Sequence, residues 1–318
     1  MVMEERLNPE LRSMFSAMPE MHYNDLETVR GSISEMLRES PVNESVSISD
    51  RYIPGPENTL DLRVRIYQPK EKTEGIPGLL WVHGGGYIIG VPEKNDYICQ
   101  RFVLDINCVV VSVDYRLSPE HPFPAPAEDC YAGLKWFSEH SAELGVDPTR
   151  IGVAGQSAGG GLTASVSLMA RDRNGPPIAF QMPLYPMIDN RNITPSSHEI
   201  TDPRVWNRES NILGWRAYLG ENHTGEVSPY AAPALAADFS GLPPTYTCVG
   251  DLDPFRDETI EYVAKLSQAG VPTEFHLYPG CFHGFEDLVP QAEISQRAEA
   301  QYVEAFKRAV QKVTMIQK

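Results

Sequence analysis

The sequence predicts an α/β architecture, a mostly parallel sheet flanked by helices, on three observations. Near-continuous apolar runs alternate with helical stretches from about residue 78 onward, as strands buried on both faces of a parallel sheet require. An alternating hairpin precedes them. A glycine-flanked serine sits where one buried strand meets a helix.

The elements follow in chain order. Leu7, Leu11, Met14, Phe15 and Met18 recur at helical spacing, and so do Leu26, Val29, Ile33, Met36 and Leu37. Two short amphipathic helices are expected before Pro41, packed on the main body as part of a lid. Ser45 to Ile53 and Leu60 to Tyr67 alternate with period two around Gly55, Pro56 and Asn58, an antiparallel hairpin at a sheet edge. Gly78 to Val82, Cys108 to Val113 and Ile151 to Ala154 are the buried parallel strands. Helices are expected between and after them, over roughly Lys94 to Asp105, Glu128 to His140 and Ala158 to Arg171. Ala179 to Tyr185, Thr245 to Val249 and Glu274 to Tyr278 continue the sheet by right-handed crossovers. Residues 187–240 break the rhythm, with Trp206, Trp215 and Tyr218 around a short helix. An insertion of that size between core strands is more often an active-site cover than idle chain. Ala298, Tyr302, Phe306, Ala309 and Val313 make one apolar stripe on a C-terminal helix.

Composition narrows the function classes. The 318 residues carry a formal net charge of −16, which repels nucleic acid and anionic lipid, and no basic patch reverses it. Five cysteines without short spacings argue against a disulfide framework or a zinc site. No secretory signal and no bilayer-length apolar run is found, so a cytoplasmic protein without membrane partner is the expectation. A homodimer is left open.

The chemistry lies in four motifs. Gly155-Gln156-Ser157-Ala158-Gly159 turns a strand sharply into a helix and presents the Ser157 hydroxyl; Gly155 and Gly159 are small because side chains beside that turn would clash. A serine hydroxyl needs a base, and the base needs an orienting carboxylate. Of eight histidines, only His283, between Gly280 and Gly284, occupies a loop beyond the final strand. The carboxylate lies in Asp251-Leu252-Asp253-Pro254-Phe255-Arg256-Asp257. Asp253, held extended by Pro254, is favoured. Asp251, closest to the strand end, is the alternative or a brace for the loop, and Asp257 suits a helix N-terminus. His83-Gly84-Gly85-Gly86 follows a strand, and its backbone N–H groups, with that of Ala158, suit an oxyanion hole. A phosphate cradle would need Lys-Ser/Thr after the glycines, where Tyr87-Ile88 stands.

These motifs, with Asp114 to Ala125 and His283-Gly284-Phe285, resemble the hormone-sensitive-lipase type of bacterial carboxylesterase in the α/β-hydrolase superfamily, over roughly residues 45–315. The resemblance implies an eight-stranded core (45–187 and 241–318) under a helical cap (1–44 and 188–240). It implies hydrolysis of short-to-medium acyl esters without a cofactor or metal. Carried over by position, Ser157 is the nucleophile, His283 the base and Asp253 the orienting acid. Gly85, Gly86 and Ala158 are the oxyanion donors, with Gly84 opening the run. Arg116 and Glu120 are expected to brace the oxyanion loop. Tyr87, Tyr185, Trp206 and Trp215 are expected to line the substrate pocket, unless the tryptophans only hold the cap together. One departure is Gln156, where the family carries an acidic or small hydroxyl residue; it is expected to change loop contacts and the pH optimum. An amidase, thioesterase or lactonase on the same machinery is the alternative. A non-catalytic small-molecule receptor of this fold is disfavoured, because such receptors lose a member of the serine, histidine and carboxylate set.

Overall fold

The computed structural model describes residues 3–316 apart from 24, 37–40, 59–60 and 72. Eight strands form one sheet: β1 (Val46–Pro54), β2 (Asp61–Pro69), β3 (Ile76–Val82), β4 (Val109–Val113), β5 (Val146–Gln156), β6 (Phe180–Leu184), β7 (Thr245–Leu252) and β8 (Thr273–Phe282). Their order is β1-β2-β4-β3-β5-β6-β7-β8. β2 is antiparallel to both neighbours, and every pair from β4 to β8 is parallel. β5 and β8 run several residues beyond the apolar runs of the sequence, β5 because its polar start carries no hydrophobic signal, whereas β4 and β6 fall one or two residues short of theirs. Leu60, expected in β2, lies outside the described residues.

Helices cover both faces. Leu79 and Trp81 of β3 pack with α4 (Asp96–Ile106) and α11 (Glu293–Ile316), where Phe102 meets Trp81 at 5.7 Å and Phe306 at 5.8 Å between ring centroids. Leu80 and Val82 face the other way, onto α5 (Ala125–Glu139) and α6 (Ala158–Asp172) through Leu134, Phe137, Leu162 and Val166. Alternate residues of one strand thus feed two separate cores, which is why that strand reads as continuously apolar. In α11, Ala298, Tyr302 and Phe306 are buried as the stripe requires, while the side chain of Val313 lies outside the described residues.

The first N-terminal set differs from expectation. It is not one helix but two pieces, α1 (Met3–Arg6) and α2 (Arg12–Ala17). Pro9 has no N–H to continue a helix and disfavours helical backbone at Asn8. Asn8 N–H instead donates to Gly280 O at 2.9 Å. Leu7, Leu11 and Phe15 are still buried, in the core that contains the end of β8. α3 (Leu26–Met36) lays Leu26 and Val29 against the opposite core. The side chains of Ile33 and Met36, and Leu37 altogether, lie outside the described residues. Between β6 and β7 the chain forms α7 (Pro195–Glu199) and α8 (Arg208–Leu219); α9 (Arg256–Gln268) follows β7, and α10 (Phe285–Leu288) follows β8. All five cysteines are buried and free.

Candidate active site

β5 ends at Gln156, and Ser157 turns the chain into α6 with φ 56° and ψ −119°. This conformation is costly for a residue with a side chain and persists only where the surroundings dictate it. They do. Ser157 N–H donates to Leu184 O, and Ser157 O accepts from Gly161 and Met187. A Cβ at Gly155 would come within 2.5 Å of Val82 O, and one at Gly159 within 2.1 Å of the same oxygen. Both glycines are therefore required by close backbone approach.

The Ser157 hydroxyl stands 2.8 Å from His283 Nε2, and His283 Nδ1 stands 2.7 Å from Asp253 Oδ2. Since the carboxylate only accepts, Nδ1 carries the proton and Nε2 is free to accept from the hydroxyl. Asp253 is fully buried, and its other oxygen accepts from Phe255 N–H at 2.8 Å. Ser157 is 7 % and His283 9 % exposed, so both are reachable from outside while Asp253 is not. The two other carboxylates, Asp251 at the end of β7 and Asp257 at the start of α9, do different work. Asp251 Oδ1 accepts from Gly280 N–H at 2.6 Å, across the irregularity between β7 and β8, and braces the end of β8 just before His283. Asp257 accepts from Ser196 N–H and pairs with Arg256; these partners hold its carboxyl below the usual range against the opposing effect of burial.

The glycine run lies beside the serine turn. Gly84 approaches so closely that a Cβ would meet Gln156 O at 2.9 Å. Gly85 and Gly86 have φ of 127° and 59°. A Cβ at Gly85 would strike Ile89 O, and one at Gly86 would strike the Trp206 ring, each at 2.1 Å. The backbone N–H groups of Gly85, Gly86 and Ala158 have no hydrogen-bond acceptor among the described residues. His83 itself is inside: burial lowers it to about 4, so it is neutral, its Nδ1 donates to Gly84 O, and its ring stacks on Tyr115 at 4.2 Å.

Several expected roles move. Arg116 does not brace this loop; it pairs with Asp129 on α5 through its backbone N–H and its guanidinium. Glu120 acts at one remove, by pairing with Arg30 of α3, which donates to Ile88 O and Ser118 O. Nothing in the sequence links residues 30 and 120. Tyr87 and Trp215, expected in the pocket, are interior: Tyr87 donates to Met187 O and stacks on Tyr218 at 3.9 Å, and Trp215 packs on both rings. Each is at most 3 % exposed. Tyr185 is also buried, edge-on to the His283 imidazole at 5.0 Å. Trp206 lies against Gly86 of the glycine run, and Tyr23, absent from the sequence expectations, meets its ring at 5.2 Å. Gln156 accepts from Asn95 Nδ2 at 2.9 Å and donates to Asp287 Oδ1 at 3.2 Å, linking the segments that carry the glycine run, the serine and the histidine.

A fold in which a strained serine on a strand-to-helix turn meets a histidine and a buried carboxylate defines a class of hydrolase, and comparison with known proteins places the chain within it. Residues 79–287 match a family model described as the alpha/beta hydrolase fold. Esterase LipI of Mycobacterium tuberculosis is 36% identical over 284 residues, 88% of each chain. Carboxylesterase NlhH of the same organism is 33% identical over 287 residues, 90% of each chain. Among solved structures, a bacterial heroin esterase superposes with a TM-score of 0.93 at 41% identity, covering 97% of this chain and 99% of the other. The chain belongs to the α/β-hydrolase family, in its hormone-sensitive-lipase type of carboxylic ester hydrolase. No helix among the described residues is long and apolar enough to cross a membrane.

Proposed function

We propose that the protein hydrolyses carboxylic esters of short-to-medium acyl chain through an acyl-enzyme, with Ser157 as nucleophile, His283 as general base and then acid, and Asp253 as the residue that orients it. The observation that carries this reading is the unbroken line from Asp253 Oδ2 through both imidazole nitrogens to the Ser157 hydroxyl, at 2.7 and 2.8 Å.

In this reading Ser157 Oγ attacks the ester carbonyl as its proton passes to His283 Nε2. The charge on the carbonyl oxygen meets the free N–H groups of Gly85, Gly86 and Ala158, the last at the N-terminus of α6. One such donor is worth about 2.7–4 kcal/mol in the transition state. His283 then protonates the leaving alcohol, and water repeats the cycle on the acyl-enzyme. Asp253 keeps the imidazole in the tautomer that can accept. Segments 1–44 and 188–240 serve as the cap; Tyr23 from the first and Trp206 from the second put aromatic surface beside Gly86, which suits apolar acyl or aryl groups.

The test is initial hydrolysis rates on p-nitrophenyl esters of increasing acyl length, for wild type and Ser157→Ala. Turnover by wild type, with a loss of at least about 10³-fold in the variant, is expected. Wild type inert on every ester but active on the matching amides, thioesters or lactones would transfer the reaction to that bond. No turnover on any of them would end the hydrolase reading of this site.

A further inference from the structure

The His283 imidazole is held edge-on by two aromatic rings, Tyr185 at 5.0 Å and Phe255 at 5.0 Å, with interplanar angles of 81° and 84°. The two grips differ by one atom. Phe255 ends in a hydrocarbon edge, whereas the Tyr185 hydroxyl donates to Glu286 Oε1. Glu286 stands three residues after His283, in α10, and is 1 % exposed. Tyr185 comes from the end of β6, so the bond ties the histidine's own segment back to the sheet.

Two unfavourable features meet there. Tyr185 has φ 32°, a backbone conformation that side-chain-bearing residues avoid. Glu286 Oε2 is buried without a hydrogen-bond partner among the described residues. A leucine or phenylalanine would fill such space without leaving a polar atom unpaired, and Phe255 shows that a plain ring suffices to pack against the imidazole. We propose that Tyr185 and Glu286 are positioning residues: the hydroxyl–carboxyl bond pins the ring that keeps His283 in line between Asp253 and Ser157. Burial pushes the Glu286 carboxyl up, so near neutral pH it accepts as an uncharged acid and brings no charge beside the base. The inference rests on the ester-hydrolase reading, in which His283 is the base.

Tyr185→Phe keeps the ring and removes only the bond. Glu286→Leu removes the acceptor, and Glu286→Gln keeps one. Tyr185→Phe and Glu286→Leu are expected to lower kcat on p-nitrophenyl acetate roughly tenfold, with KM within about twofold, because a misplaced base slows chemistry rather than binding. Labelling of Ser157 by a fluorophosphonate should slow by the same factor, and Glu286→Gln should recover most of what Glu286→Leu loses. Tyr185→Phe at wild-type kcat and labelling rate, or Glu286→Gln as impaired as Glu286→Leu, overturns the proposal. If Glu286→Leu does not fold, Tyr185→Phe decides alone, since it leaves the core volume almost unchanged. Failure of the ester-hydrolase reading looks different: wild type itself would then not turn over p-nitrophenyl acetate.

Discussion

Gln156 shows how a single side chain joins the parts of the site. Its amide accepts from Asn95 and donates to Asp287, so it needs both a lone pair and an N–H. A carboxylate can do only the first. In Gln156→Asp the donor is lost, and a negative charge stands near Asp287, which repels it, and within the serine–histidine neighbourhood, where it favours the protonated form of an imidazole. The variant is expected to remain active, with the acid limb of its pH–rate profile moved to higher pH. A profile superimposable on wild type would show that the amide is not electrically coupled to the site. That residue 156 departs from the family was legible in the sequence. Which groups it touches was not, because Asn95 and Asp287 lie 61 positions before it and 131 after it.

At the scale of elements, α2 is the clearest case of a short helix held by one anchor. Six residues cannot sustain a helix in water, so docking must stabilise it. Phe15 supplies that docking: it is fully buried, its ring lies 5.5 Å from Phe282, and Arg204 sits over the ring at 4.1 Å. Phe15→Ala should lower the unfolding free energy by about 3–5 kcal/mol, read from the midpoint of urea denaturation. A loss below about 1 kcal/mol would mean that the helix is dispensable to the core. Because Phe282 directly precedes His283, the same variant should also lower kcat. The helical spacing of Leu7, Leu11 and Phe15 was readable, and so was their burial. The break at Asn8-Pro9 was present in the letters but was overridden by the periodicity, which weighs apolar residues and ignores a missing N–H.

Over the whole molecule, buried carboxyls set an unusual stability balance. Glu258 and Glu299 have their carboxyls raised by burial, Glu299 to about 7 despite Arg101 at 2.6 Å. The folded state therefore holds protons that the unfolded state has released, and for Glu299 stability falls as pH rises from about 4.5 to about 7. The ion-paired Asp202 and Glu199 are shifted down and act oppositely, contributing stability above the ordinary carboxylate range and losing it as pH falls through their folded values. The melting temperature should accordingly be highest in mildly acidic buffer and decline toward neutrality. Glu299→Gln should flatten that decline, and an unchanged slope in the variant would exclude Glu299 as its source.

The sequence by itself determined the strand and helix alternation, the serine turn, the glycine run and the histidine loop. Each of these is a local demand: a buried strand must be apolar throughout, a sharp turn must be flanked by glycine, and a loop histidine must follow the last strand. Only the tertiary structure decided among Asp251, Asp253 and Asp257 for the contact with His283, since all three lie within seven residues and differ in direction rather than in identity. It also moved Tyr87 and Trp215 into the interior, left Trp206 on Gly86, and set Tyr185 against the imidazole. An aromatic residue fills a core and lines a pocket with the same surface, so composition cannot separate the two uses. What separates them is the neighbour on the far side of the ring, and that neighbour comes from a distant part of the chain.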